Sequence, residues 1–273
     1  MNAQLPLAAT RQLDLSFARR GDRTVFDRRL FSWPYVLART FQLDPAIPHL
    51  QSVMVQTSGG AIYGDDRLLQ RLHLGAGAAV HLTTQGATAV HRANPGLTTR
   101  ESVAITLEPG AWLEYLPQPR ILFPDAAMRQ VIDIDCHPDA TAIVADAFTL
   151  HDPEQRGRLF RRMESTLTVR RGADPVLIDR FDIAGDPQHF TRHTAFGTLL
   201  LLAPRPAEIL EAWALDLSSA LAGHGGLYAA ASVLPSALGI GLRFAATELR
   251  QLRAGTDLAY AMLRTRLLAM HTI

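Results

Sequence analysis

His189 and His193 stand four residues apart, the spacing that sets two imidazoles on one helix face as metal ligands. The intervening Phe190-Thr191-Arg192 does not read as helix and no third ligand is evident, so structural or solvated histidines are expected. Cys136-His137-Pro138 puts a soft thiolate beside an imidazole, a donor set that suits nickel, copper or zinc. Neighbours in a strand point to opposite faces, so the two meet on one ion only if the turn twists them together. A buried thiol beside a surface histidine is the simpler expectation. Asp65-Asp66 follows the glycine-rich turn Ser58-Gly59-Gly60-Ala61-Ile62-Tyr63-Gly64, where a carboxylate can be aimed at a ligand or channel, or can serve as an acidic turn residue. Asp133 and Asp135 share one strand face, as the paired carboxylates of a glycosidase share a cleft, or as charges do on a solvated face.

The familiar catalytic signatures do not occur. There is no Gly-x-Ser-x-Gly, no His-Glu-x-x-His, no Cys-x-x-Cys and no complete Gly-x-Gly-x-x-Gly in the 273 residues, and Gly239-Ile240-Gly241 alone carries little weight. All 27 basic residues are arginine. Without lysine there is no P-loop lysine and no Schiff base, which removes ordinary nucleotide hydrolysis and pyridoxal chemistry. A net charge of +1 is too even to supply the basic field that nucleic acid needs. The single cysteine and the lack of an export signal lead to the expectation of a cytoplasmic protein. From Leu217 to Leu242 there is no Asp, Glu, Lys or Arg and His224 is the one histidine, yet glycines, Pro235 and four serines break the run, so strands are expected rather than a membrane span. Some of this uncharged surface is expected to be buried or covered by a partner, framed by the helix that begins at Pro206 and by the last helix.

The elements that must position these groups are mostly strands. Between residues 50 and 185, β-branched and alternating runs recur at roughly 30-residue intervals, each unit an arginine-led strand, a tight turn, a second strand and a longer loop. The leading residues are Arg67, Arg100, Arg129 and Arg162. This predicts a mainly β fold of stacked antiparallel hairpins forming a layered body, either β-helix-like or a sandwich. Two further strands are expected at Gln12 to Phe17 and Thr24 to Phe31. After residue 185 a mixed α/β part is expected. It holds a strand at Thr198 to Ala203, a helix after Pro206 with Ile209, Leu210, Trp213, Ala214, Leu217 and Leu221 on one face, and strands at Leu227 to Leu234 and Leu238 to Phe244. Thr247 would cap a short helix ended by Gly255, and Thr256 a last helix to about Met270.

Residues 58 to 92, with Ser58-Gly59-Gly60-Ala61-Ile62-Tyr63-Gly64-Asp65-Asp66-Arg67 leading to His81-Leu82-Thr83-Thr84-Gln85-Gly86-Ala87-Thr88, resemble the UreD (UreH) family of urease accessory proteins. Pro109-Gly110-Ala111-Trp112-Leu113-Glu114-Tyr115-Leu116-Pro117-Gln118, Ile121-Leu122-Phe123 and the Arg170-Arg171 to Asp179-Arg180 pair follow in the family's order. The resemblance covers residues 12 to 185 well and the remainder loosely. It implies a single UreD-like domain over 1–273 and a scaffold that is not an enzyme. That scaffold would sit on the urease apoprotein, recruit a UreF-like protein and, through the complex, a UreG-like GTPase, and provide a tunnel for nickel, with no tightly bound cofactor and only transient Ni. Asp65 matches the aspartate of the family's Gly-Asp motif. Glu114, Asp146 and Asp179 are further candidate nickel-path carboxylates, chosen as acids inside otherwise apolar strands. The family usually has glycine at the position of Tyr63, lysine at Ala89 and tyrosine at His91, which leaves open a paralogue serving another metalloenzyme. The alternative from the residues alone is a β-helical carbohydrate-active enzyme using Asp133, Asp135 or Asp65-Asp66.

Overall fold

The computed structural model describes residues 11–42, 44–203 and 205–271. Eighteen strands and two α-helices follow one another along it. The strands before the midpoint are β1 (Leu13–Arg20), β2 (Arg23–Phe31), β3 (Tyr35–Leu37), β4 (Gln51–Thr57), β5 (Ala61–Ile62), β6 (Arg67–Leu74), β7 (Ala79–Thr84), β8 (Thr88–Val90) and β9 (Thr99–Leu107). Then come β10 (Trp112–Leu116), β11 (Arg120–Leu122), β12 (Ala127–Cys136), β13 (Thr141–Leu150), β14 (Arg162–Arg171), β15 (Asp174–Ala184) and β16 (Ala195–Leu202). Helix α1 (Ala207–Ala222), β17 (Leu227–Val233), β18 (Gly239–Ala246) and helix α2 (Leu249–His271) complete the order.

The layered, solenoid-like class holds, but three of the four expected hairpins do not. The two strands of a unit part company at the turn: β6 joins one sheet and β7 the other. Each strand then pairs in parallel with its counterpart in the next coil, β6 with β9 and β9 with β12 in the first sheet, β7 with β10 and β10 with β13 in the second. Only β14 and β15 form the antiparallel hairpin expected. The physical reason lies in the alternation. Leu68, Leu72 and Leu74 on β6 and Val80 and Leu82 on β7 all face one interior, so the Gly75-Ala76-Gly77 turn arches between sheets instead of folding the strands side by side. The arches themselves stack, the Gly77 amide donating to the Pro109 carbonyl of the next arch at 3.0 Å, and Gly77 holds the positive φ of 67° that the arch needs. The leading arginines of the repeat sit in register on the outer face, Arg67 beside Arg100 and Arg100 beside Arg129, while Arg162 lies opposite Ala127, two positions out of line.

The first sheet runs β15-β14-β12-β9-β6-β1-β2 and the second β17-β18-β16-β13-β10-β7-β4-β3, with β11, β8 and β5 alongside. One core fills the space between the sheets. A second lies between the outer face of the second sheet and the helices, where Leu210, Ala214, Leu217 and Leu221 of α1 recur at helical spacing and are buried. The uncharged stretch from 217 to 242 is therefore explained in good part by burial, with Ile240 and Leu242 at 0% exposure, though Tyr228 on β17 stays 67% exposed.

The two expected C-terminal helices are one, α2, and Gly255 lies inside it. It is glycine because α2 crosses β17 there: a Cβ would come within 2.5 Å of a Leu227 methyl. At Gly185, just past β15, a Cβ would sit 1.7 Å from the Phe160 carbonyl oxygen, and backbone cannot yield as a side-chain tip can. We therefore expect Gly185→Ala to destabilise by about 3 kcal/mol. Gly255→Ala should stay within about 1 kcal/mol of the parent, because Leu227 can rotate and alanine is the better helix former. Urea unfolding of both variants checks this, and equal losses would contradict it.

Candidate functional site

Acidic residues placed in otherwise apolar strands end on different sides of the second sheet. Glu114 on β10 points to the helix side, with His81 beside it in register on β7. It is fully buried and accepts hydrogen bonds from His81 Nδ1 (2.7 Å), Trp112 Nε1 (3.0 Å), Tyr260 Oη (2.7 Å) and Arg264 Nε (2.8 Å). Tyr260 and Arg264 are one turn apart on α2, so both reach the same carboxylate. Arg264 also pairs with Asp44, whose Oδ1 accepts the Ala46 and Ile47 amides. Burial alone would raise the Glu114 pKa, but the hydrogen bonds from His81, Tyr260, Arg264 and Trp112 outweigh it and lower it to about 2. An ionised carboxylate can only accept, so His81 carries its proton on Nδ1.

Asp146 on β13 faces the other way, into the space between the sheets. Its Oδ2 accepts from Ser165 Oγ at 3.2 Å and its carboxylate is also bonded by Gln130. Burial raises its pKa, and Gln130, the more distant Arg120 charge and Ser165 only partly offset this, so it stays above the ordinary value. Beyond it lies a buried ion pair that joins the two sheets, Glu101 of β9 to Arg120 of β11, with Gln70 donating to Glu101 at 2.8 Å and Tyr35 held by both. Burial would lower the Arg120 pKa, yet Glu101 beside it keeps it raised. On the opposite side Asp146 lies in register with Thr198, and Thr198 with Arg243 of β18. Arg243 donates to Thr198 Oγ1 at 3.2 Å and pairs with Asp179 of β15, which ties the sheets together a second time. This end opens as a cleft of about 240 Å³ with Asp146, Thr198 and Arg243 in its wall and Phe148, Phe181 and Phe196 around them.

The structure thus brings Asp146 and Asp179 to one line across the inter-sheet space and puts Glu114 outside it, against α2. Asp65 is elsewhere again. It is exposed on the rim of a cleft of about 530 Å³, beside a column in which the residues that follow β5, β8, β11 and β13 stack in turn: Tyr63 on His91 (5.1 Å between ring centres), His91 on Phe123 (4.7 Å) and Phe123 against His151 (4.9 Å). Its neighbour Asp66 closes the turn by accepting the Tyr63 amide at 2.8 Å, and Gly64 is needed because a Cβ there would lie 2.4 Å from Ala93 Cα. Asp133 and Asp135 face outward from the first sheet, Asp133 beside Arg170 and Asp135 accepting the Gly172 amide. Cys136 points into the core, where burial pushes its thiol up to about 11, while His137 Nδ1 accepts the Asp139 amide. Among the described residues no three His, Cys, Asp or Glu side chains gather as a metal-holding group. Glu101, Arg120 and Arg243 were not singled out from sequence. The signal available was a polar residue at a core position of the alternation, as in Glu101-x-Val103-x-Ile105 and Met128-x-Gln130-x-Ile132.

A family model described as "UreD urease accessory protein" matches residues 9–272. "Urease accessory protein UreD 2" of Bradyrhizobium sp. (strain ORS 278) is 56% identical over 256 residues, covering 93% of this chain and 89% of the relative. The protein of the same name from Bradyrhizobium sp. (strain BTAi1 / ATCC BAA-1182) is 54% identical over the same shares. "Urease accessory protein UreD" of Mycolicibacterium smegmatis (strain ATCC 700084 / mc(2)155) is 31% identical over 275 residues, with 96% of each chain covered.

The Glu114 contacts yield a pH prediction. A carboxylate held at about 2 against an ordinary 4.5 contributes stability that is full above 4.5 and is lost as the pH falls through 2. Glu114→Gln should therefore cost about 3 kcal/mol near neutrality. The gap between the two proteins should narrow as the pH falls from 4.5 towards 2, as read from thermal or urea unfolding at each pH. A gap independent of pH would assign the loss to packing alone.

Proposed function

The chain belongs to the UreD family of urease accessory proteins, and from that premise we propose that it is a non-catalytic, cytoplasmic scaffold of urease maturation. In this reading it rests on the urease apoprotein, recruits a UreF-like protein and through it a UreG-like GTPase, and passes nickel on to the client. The observation that carries the proposal is Asp146: a carboxylate in the inter-sheet space, hydrogen-bonded by the neutral Ser165 and Gln130 and open to a cleft. Ni²⁺ accepts oxygen and nitrogen donors, and one carboxylate with few companions binds weakly enough to release its ion. Burial raises the affinity of Asp146 for a proton, so a proton and a cation compete for it and transfer is favoured as the pH rises. Asp179 stands at the mouth, where an arriving divalent cation competes with Arg243 for the carboxylate. Asp65 serves as an outer acidic group on the rim of the larger cleft, and Glu114 holds α2 in place.

The saccharide-enzyme reading finds less support, because Asp133, Asp135 and Asp66 are each engaged by a neighbouring residue on the surface. Nickel per client active site, measured after in vitro activation with equal amounts of folded accessory protein, tests the proposal. Asp146→Asn should lower it about tenfold, the equivalent of about 1.4 kcal/mol of lost coordination, with the melting temperature unchanged or raised. Asp179→Asn and Asp65→Asn should lower it less. Full nickel loading by a normally folded Asp146→Asn protein would overturn the assignment.

A further inference from the structure

We propose that the outer edge of β2, from Asp27 to Phe31, is a docking edge for an extended acidic segment of a partner protein, which adds to the first sheet as one more strand. This inference is independent of the nickel reading and uses none of its residues. Among the described residues the first sheet ends at β2, and an edge strand offers a row of main-chain donors and acceptors to any strand that fits. Near its start that row is partly closed, with Thr24 buried and its carbonyl taken by Gln42 Nε2 at 3.2 Å. From Asp27 onward all five residues are exposed. It is also apolar where it is open: Leu30 is 51% exposed, Phe31 42%, and Trp33 just beyond 67%.

Charge says what fits. Residues 19 to 31 hold five arginines against two aspartates, in a chain whose whole net charge is +1. Arg28 is taken by the buried Asp14, but Arg29 lies over the rings of Phe26 and Phe31, 5.5 and 5.7 Å from their centres, and is in no ion pair among the described residues. An incoming strand that alternates acid and apolar residues sets its acids on the face that carries Arg29 and its apolar side chains on the opposite face, where Leu30 stands. A second copy does not fit, because antiparallel pairing of β2 with itself sets an arginine-rich run against its own like charge. The other edge of the same sheet is guarded in a way β2 is not: β15 has Pro175 near its start, and its Asp182 and Asp179 are paired with Arg162 and Arg243.

The test uses the full chain and two fluorescein-labelled octapeptides, one alternating valine with glutamate and one alternating valine with lysine, read by anisotropy and by amide hydrogen exchange. The proposal expects the glutamate peptide to bind, to bind less tightly as salt is raised, and to protect the amides of 27–31. The double variant Arg23→Glu/Arg29→Glu, on two exposed side chains, should keep its melting temperature, lose the glutamate peptide at least about tenfold and gain the lysine peptide. Failure of the glutamate peptide to bind, equal binding of both peptides, protection at another strand, or self-association through β2 would each overturn it.

Discussion

The ion pair between Glu101 and Arg120 sits between the two sheets with 3% and 8% of each residue exposed, and the interior is organised around it. Two charges removed from water cost several kcal/mol apiece, and their attraction returns this only where the remaining hydrogen-bonding capacity is also met. Gln70 and Tyr35 supply that, from β6 and β3. The consequence reaches past the pair. Because Arg120 is committed to Glu101, it acts on Asp146 only from a distance, and Asp146 is left as an interior carboxylate whose hydrogen-bond donors are neutral. A buried arginine bound directly to Asp146 would make that carboxylate inert to a passing cation.

The parallel stack makes such a line possible. In register, Glu101 lies beside Gln130 and Gln130 beside Ser165, a polar row crossing three coils of the first sheet. The second sheet carries Asp146, Thr198 and Arg243 in a matching row. That second row is aligned across antiparallel neighbours, while the row of the first sheet comes from a coil that returns each strand to the same level. The same geometry builds the Tyr63, His91, Phe123 and His151 column at the corner, where each coil contributes one ring.

Alternation, turns and the amphipathic period were legible in the residues themselves, and they place most strands and α1 within a few positions. What the alternation does not encode is the partner of a strand. A tight Gly-rich turn between two strands that share an apolar face suits a hairpin and an arch equally well, and the choice depends on whether an interior on the far side awaits those faces. Gly255 misled for a related reason: an interior glycine answers to Leu227 crossing over it, and that contact is 28 residues away in the chain. The departures noted at Tyr63 and His91 turn out to be neighbours stacked on one another, so they are one coupled feature rather than two.

Glu114 and Asp146 came from one sequence signal, an acid inside an apolar strand, and the structure separates them by side and by donor set. Both lie on parallel strands of the same sheet, yet Glu114 is aligned with Ile143, which faces the helices, whereas Asp146 is three positions further along and turns to the interior. On the helix side an arginine, a tyrosine, a tryptophan and a histidine saturate the carboxylate, and its proton affinity falls to about 2. In the interior a serine and a glutamine do not saturate it, and burial raises that affinity instead. A group of the first kind binds its surroundings too well to exchange anything, so it holds α2 to the sheet. One of the second kind keeps lone pairs that its neutral donors leave unused, which is the ground of the nickel proposal, and the odd spacing between the two, in strands where sides alternate, is what gives one sheet both.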